Sequence, residues 1–370
     1  MTTEQLPVRP AVATSTATEP PHVWYARTRS AVAASVREFV VERCGEHLAA
    51  PETAVLGRVI VEFAGGGKYL RSAFQLAGWL TVRPESPAAI RAAGSAELLH
   101  CFALLQDDVM DRSPLRRGLP AAHIAFADWH ARQGLSGSSE RFGEAAAILA
   151  ADLCLVWAEQ LLRESGVDRL ALARGMRRYD VLRSELAVGQ FRDLVNESRR
   201  EPALSDVLAV ARAKSGNYTV RRPLELGAEL AGAGPDVLAA LGRYGTAVGE
   251  AFQMRDDLLG VFGDPDATGK PVGDDIRARK ATAVLVLAHQ HADDPARREL
   301  RRLDARAELD AAQVARYVRI IEDTGTRPRV EQLIRQRVSA GIDALAGADL
   351  APQAHAILVH LARSCADRVH

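Results

Sequence analysis

Two acidic clusters far apart in the chain hold the residues best suited to chemistry. The first is Asp107, Asp108 and Asp111, within Gln106-Asp107-Asp108-Val109-Met110-Asp111. The second is Asp256 and Asp257, within Gln253-Met254-Arg255-Asp256-Asp257-Leu258-Leu259-Gly260. Residues at i, i+1 and i+4 project from one side of an α-helix. Carboxylates crowded on one patch resist full ionisation unless a cation sits among them. With no Cys or His beside them, such oxygen-only ligands suit a hard ion, Mg²⁺ first. Two such patches facing each other would hold several ions, and the natural ligand of that array is a diphosphate.

Basic residues flank these acids. Gly65-Gly66-Gly67-Lys68-Tyr69-Leu70-Arg71 precedes a helical run. A glycine turn lets backbone N–H groups and a helix N-terminus approach an anion, and Lys68 and Arg71 add fixed positive charge. The segment is not a P-loop, because the Gly-x4-Gly-Lys-Ser/Thr spacing fails. Glu97 and His100 lie on the same helical run as the first acidic cluster, with His100 on its stripe. Arg116-Arg117-Gly118 follows in a turn-rich loop, where paired guanidiniums suit bidentate contacts to phosphate. Gly189-Gln190 with Asp193, and Lys214-Ser215, lie on later helical segments. After the second acidic cluster, residues 263–275 form a loop with Lys270 and a third acidic pair, Asp274-Asp275. Its register does not match a calcium-binding EF-hand.

The elements that must carry these residues are helices. The chain has 370 residues, 48% hydrophobic but only 5% aromatic, and its apolar residues are mostly Ala, Leu and Val. Apolar residues recur at three and four. Examples are Leu98, Leu99, Phe102, Leu105 and Val109, then Ile148, Leu149, Leu153, Val156, Trp157 and Leu161, and later Val188, Phe191 and Leu194. Runs of period two are absent. Breaks at 65–67, 84–87, 113–120, 134–139, 201–202, 232–235, 263–273 and 347–349 separate about ten or more helical segments. The expected architecture is all-α, one large helical bundle over residues 23–370 with the site in a central cavity between helices. Residues 1–22, rich in Thr, Pro, Ala and Glu, read as a disordered tail.

Charge and cysteines narrow the class further. Formal net charge is +0, which gives no support to a nucleic-acid partner. Cys44, Cys101, Cys154 and Cys365 are scattered and form no CxxC, so they read as buried thiols in a reducing cytoplasm. No basic segment followed by an apolar run opens the chain, and the most apolar stretch, residues 145–157, is too short to cross a bilayer. A cytoplasmic protein with no transmembrane segment is expected.

The order GGK-x-x-R, E-x-x-H, DDxxD, RRG, GQ-x-x-D, KS, Q-x-x-DD and GK-x-x-GDD resembles the trans-polyprenyl diphosphate synthases, the family that makes geranyl, farnesyl and geranylgeranyl diphosphates. The likeness covers residues 60–285. It implies the isoprenoid synthase fold, a homodimer, and Mg²⁺-dependent condensation of isopentenyl diphosphate with dimethylallyl, geranyl or farnesyl diphosphate. Asp107, Asp108, Asp111, Asp256 and Asp257 would hold about three Mg²⁺ ions. Lys68, Arg71 and His100 would bind isopentenyl diphosphate. Arg116 would grip the allylic diphosphate and Arg117 the homoallylic one. Lys214 and Lys270 would neutralise the leaving group, with Ser215 and Gln253 near the reacting carbons. Phe102, with small Ala103 beside it, would limit the chain and point to a C20 product, ahead of C15 and C25. Gly260 stands where many members carry a third Asp, Tyr69 and Ser72 where Arg and Pro are common, and Arg279 where Gly is frequent. A class I terpene cyclase is disfavoured because its second metal motif is not matched. A noncatalytic partner subunit is disfavoured because the metal carboxylates and basic clamps are kept.

Overall fold

The computed structural model describes residues 19–197, 199, 203–263, 272–306 and 308–367. Its elements are almost all helical. In order they are α1 (Pro21–His47), α2 (Ala54–Gly65), α3 (Leu70–Leu80), α4 (Pro87–Met110), a two-residue antiparallel pair β1 (Leu115–Arg116) and β2 (Leu119–Pro120), α5 (Ala122–Arg132), α6 (Ser139–Arg163) and α7 (Arg169–Glu197). Then come α8 (Leu204–Val210), a π-helical segment (Ala211–Arg221), α9 (Arg222–Ala231) and α10 (Pro235–Phe262). The C-terminal part adds α11 (Asp274–Arg277), α12 (Ala283–His291), α13 (Asp294–Asp304), α14 (Ala311–Asp323), α15 (Thr326–Asp343) and α16 (Pro352–Ala366).

Local sequence sets the helix starts. Ser86 Oγ accepts from the Ala89 amide at 3.2 Å with Pro87 in the first turn, and Ser138 Oγ accepts from Arg141 N at 3.2 Å. Asp310 and Gln313 form a reciprocal capping box at the head of α14. The long helices α4 and α10 then hold the two acidic clusters near their C-terminal ends. α4 packs mainly on α6, and also on α1 and α3; α10 packs on the π-helical segment and α15. The core that fixes them is built from medium apolar residues with a few large anchors, among them Trp24, Phe74, Trp157, Tyr179 and Tyr244, all at most 2% exposed. Glycines set the closest approaches. A Cβ at Gly249 would lie 2.7 Å from the Gly216 carbonyl oxygen, so α10 and the π-helical segment touch backbone to backbone.

The all-α bundle agrees with the expectation from periodicity, with three differences. The helix α1 starts at Pro21, inside the segment read as a tail; residues 1–18 lie outside the described part. The loop after Asp111 contains the short β1–β2 ladder, too brief to leave a period-two pattern. By length and composition alone α4 and α6 are long and apolar enough to cross a membrane, whereas the apolar stretch at residues 145–157 taken by itself is too short. The most apolar window of α4 is 61% buried and that of α6 is 44% buried. The apolar stripes of α6 and α7 are only partly covered: Leu149, Val156 and Phe191 are 59%, 61% and 68% exposed. No disulfide joins the four cysteines.

Candidate active site

The last two turns of α4 present the first acidic cluster to a ring of cations drawn from three other segments. Arg116, on β1, directs Nε at both oxygens of Asp108 (2.9 and 3.2 Å), and its Nη2 lies closer still to Oδ1 and 3.6 Å from Asp107 Oδ2. Lys214, on the π-helical segment, reaches Asp107 Oδ1 at 3.1 Å and Asp193 Oδ2 at 2.7 Å. Gln190 of α7 donates to the same Asp107 oxygen at 3.3 Å. Lys280, between α11 and α12, reaches Asp111 Oδ2 at 3.1 Å. Burial alone would push the Asp107 carboxyl up, but Lys214, Lys280 and Arg116 hold it below its ordinary value. Burial also works against the charge on Lys280, yet Asp111 and Asp107 keep its pKa above the ordinary value. Burial pushes the Asp108 carboxyl up, against the pull of Arg116, so the three acids of the cluster do not share one electrostatic setting. π-helical turns are rare and concentrate at functional sites; here one places Lys214.

The second cluster lies on α10: Asp256 is half-buried and Asp257 is 4% exposed, and the segment that carries Lys280 to Asp111 also brings the Ala283 amide to Asp257. Asp257 is committed to the protein: Oδ1 accepts from Gln253 Nε2 at 2.7 Å and Oδ2 from the Ala283 amide at 3.1 Å. Burial pushes its carboxyl up to about 7; the neighbouring Asp275 and Asp256 add to this, against those two hydrogen bonds. Asp257 thus fastens the start of α12 and orients Gln253. Arg255, on the other face, pairs with Glu331 of α15 at 2.7 Å and locks α10 in rotation.

A second basic pocket lies beside the first motif. Arg117 crosses the glycine turn after α2, its Nη1 donating to the Phe63 carbonyl at 3.2 Å. A Cβ at Gly66 would fall 2.4 Å from that nitrogen, and one at Gly67 would fall 2.9 Å from Nη2. The two glycines are thus the slot through which Arg117 passes. Arg71 lies over the Tyr218 ring, 4.4 Å from its centroid, and the His100 ring is 6.2 Å from that of Tyr218. Arg71 Nε and His100 Nδ1 are buried with no hydrogen-bond partner among the described residues, as expected of groups that wait for a ligand. Burial, then Arg71 and Arg117, push the His100 pKa well down, so the imidazole is neutral. Glu97 accepts from the Ser72 amide at 2.9 Å, and burial raises its pKa. Tyr69, Arg112, Arg117 and Arg279 are the non-glycine residues with positive φ (50 to 55°) among those described, and each lies in a segment that borders these pockets. Such strain clusters at functional sites.

The structure therefore gathers Asp107, Asp108, Asp111, Arg116 and Lys214 into one network, and Arg71, His100 and Arg117 into a neighbouring one. Lys68 is exposed on the turn, where its carbonyl accepts from the Tyr25 hydroxyl at 2.6 Å. Ser215 is half-buried beside Lys214, and Phe102 and Ala103 are half-buried against the core on α4. Lys270 lies outside the described residues. Two participants were not assigned from sequence. Lys280 sits in Arg279-Lys280-Ala281-Thr282, noted only for its Arg; a lone Lys after an acidic loop was its single signal. Tyr218 reads as ordinary helix core until the π turn faces it toward Arg71. Among the described residues no three His, Cys, Asp or Glu converge on one point as a preformed ligand set. The donor chemistry still fits a hard cation, because the acids gathered on α4 and α10 offer oxygen alone.

Comparison with known proteins identifies this arrangement. The polyprenyl synthetase family model matches residues 54–321. The chain belongs to that family. It is 32% identical over 322 residues to a geranylgeranyl diphosphate synthase of Mycobacterium tuberculosis, covering 86% of this chain and 85% of that one. It is 35% identical over 291 residues to a geranylfarnesyl diphosphate synthase of Aeropyrum pernix, covering 76% and 83%. A geranylgeranyl pyrophosphate synthase of Corynebacterium glutamicum, solved with isoprenyl diphosphate and magnesium, superposes with a TM-score of 0.87 at 35% identity, covering 93% of this chain and 99% of that one. This polyprenyl synthetase is thus an all-α prenyltransferase of the isoprenyl diphosphate synthase type, dependent on a divalent metal.

Proposed function

We propose that the protein joins isopentenyl diphosphate head-to-tail to an allylic diphosphate, gives geranylgeranyl diphosphate (C20), and releases pyrophosphate. The observation that carries this reading is the ring of Lys214, Lys280 and Arg116 closed on Asp107, Asp108 and Asp111, opposite Asp256. In the reaction, the allylic C1–O bond breaks and its electrons leave with pyrophosphate. The isopentenyl double bond attacks C1, and a proton is lost to restore an alkene. Lys214, Lys280 and Arg116 stabilise charge growing on the departing oxygens. Arg71, Arg117 and neutral His100, with Lys68 on the turn, hold the isopentenyl diphosphate, and the surrounding helices exclude water from the cation. When bound, Mg²⁺, about three ions that Asp107, Asp108, Asp111 and Asp256 would hold, with Asp257 behind them fixing Gln253 and the start of α12, would supply the remaining charge neutralisation.

Phe102 and Ala103 support the C20 length, since they stand a helical turn before Asp107 in the direction the product grows. Similar proteins include makers of C15, C20 and C25 chains, so length is the part most in need of test. Purified protein with Mg²⁺, labelled isopentenyl diphosphate and each of dimethylallyl, geranyl and farnesyl diphosphate should yield, after dephosphorylation, a C20 alcohol. A C15 or C25 alcohol would move the floor away from Phe102, and no elongation with any primer would overturn the reading. The exposed stripe of Leu149 and Val156 on α6 with Val188 and Phe191 on α7 supports a homodimer; light scattering should give twice the chain mass. Cysteines without disulfides support a cytoplasmic setting.

A further inference from the structure

The second acidic patch has a gap in α10 that another element fills. Residue 260 lies four places after Asp256 and three after Asp257, so a side chain there would share their face. It is glycine, and the space is taken. A Cβ at 260 would fall 1.9 Å from Asp275 Oδ2, 2.4 Å from its Cγ and 2.9 Å from Oδ1. The carboxylate of Asp275 therefore occupies the place that a side chain at 260 would need. Asp275 is 9% exposed and is carried by the one-turn helix α11. Its carbonyl accepts from the Lys280 amide at 3.0 Å, and the ammonium of that lysine reaches Asp111 on the opposite wall. Asp257, by contrast, has each oxygen held by Gln253 or the Ala283 amide and lies deeper.

We propose that Asp275 is a working member of the second acidic patch, lending through Gly260 the carboxylate that α10 itself lacks and facing the metal–diphosphate assembly beside Asp256. The inference rests on the diphosphate-site reading above. Gly260 and Asp275 act as one unit: the glycine clears the slot and the aspartate fills it. The pair is exchangeable in principle, with an acid at 260 and a small residue at 275 giving nearly the same charge in the same space.

The test measures metal binding apart from turnover. Mn²⁺ binding in the presence of inorganic pyrophosphate is followed by electron paramagnetic resonance, with thermal melting as a folding control, for wild type, Asp275→Asn, Asp275→Gly, Gly260→Asp and the double variant Gly260→Asp/Asp275→Gly. Asp275→Asn keeps the shape and should weaken Mn²⁺ about ten- to a hundredfold with the melting temperature nearly unchanged. Gly260→Asp alone should melt early, because two carboxylates meet in one slot. The double variant should regain most of the affinity that Asp275→Gly loses. Wild-type Mn²⁺ affinity in Asp275→Asn, or a folded double variant no better than Asp275→Gly, overturns the proposal. Asp107→Asn separates the two levels. If it abolishes binding while Asp275→Asn does not, only this inference falls; if it too binds Mn²⁺ as wild type does, the underlying site reading falls with it.

Discussion

Gly66→Ala should damage the use of one substrate and spare the other. The backbone at Gly66 is extended (φ −108°, ψ 153°), so alanine fits the chain without strain. The cost falls on Arg117, whose Nη1 lies 2.4 Å from where the methyl would be. Relief to ordinary contact requires the guanidinium to move by about 1 Å. That breaks its 3.2 Å hydrogen bond to the Phe63 carbonyl. Arg117 is exposed, so water replaces the lost contact and stability should fall by no more than about 1 kcal/mol. Catalysis is less forgiving, since a misplacement of about 1 Å at a substrate clamp costs up to about a hundredfold. With Arg117 on the homoallylic diphosphate, KM for isopentenyl diphosphate should rise roughly 10- to 100-fold. KM for the allylic diphosphate, which the proposed function assigns to Arg116, should change by less than about twofold. Steady-state kinetics with each substrate varied in turn, alongside a thermal melt, reads all three quantities. An unchanged isopentenyl KM would refute the reasoning. So would equal losses for both substrates with the melt intact, because Arg117 would then not separate the two sites.

Other consequences follow from the same geometry. Asp107→Ala or Asp256→Ala should abolish condensation while circular dichroism stays helical; near-normal turnover in either would break the metal assignment. Phe102→Ala should lengthen the product by one or more isoprene units, as sized by chromatography of the dephosphorylated alcohols, and an unchanged distribution would place the floor elsewhere. Gly227→Ala should unfold the bundle at lower denaturant, because its methyl would fall 1.7 Å from the Gln75 carbonyl oxygen where α9 meets α3. Backbone on both sides cannot yield as a side chain can, so a loss of about 3 kcal/mol or more is expected, and a wild-type denaturation midpoint would show that the two helices separate easily.

What the sequence made legible follows from range. The helices of the site are written in local periodicity and local caps, so the runs around Leu98–Val109 and the breaks at 65–67 and 84–87 fall where α2, α3 and α4 end and begin. The breaks between α1 and α2, between α6 and α7, and between the successive helices from α11 to α15 are not among those expected from sequence. Ser165-Gly166 makes a very short turn, and the Asp310 capping box is a signal of only two side chains, though it was there to read. The acids on helices carried a spacing signature, so Asp107, Asp111 and Asp256 could be found, and Lys68, Arg116, Arg117 and Lys214 stood out as basic residues in short motifs; Lys280 and Tyr218 carried neither signal. Lys280 is placed by the chain between α11 and α12, and Tyr218 by a π turn whose register no 3.6-residue pattern describes. The exposed faces of α6 and α7 carry the same apolar periodicity as buried faces, because periodicity reports amphipathicity and not what covers it.

Glycines mark the limit most clearly. In the sequence, Gly66 and Gly260 look like a turn former and a missing acid. In the fold each is the vacancy through which a charged side chain from a distant segment passes, Arg117 in one case and Asp275 in the other. A one-dimensional pattern can show that a side chain is absent at a position. It cannot show what stands in the space, because the occupant is 51 residues away in the first case and 15 in the second. The departures from an expected motif are therefore the places where the tertiary structure adds most, since a gap within one element is a statement about the packing of another.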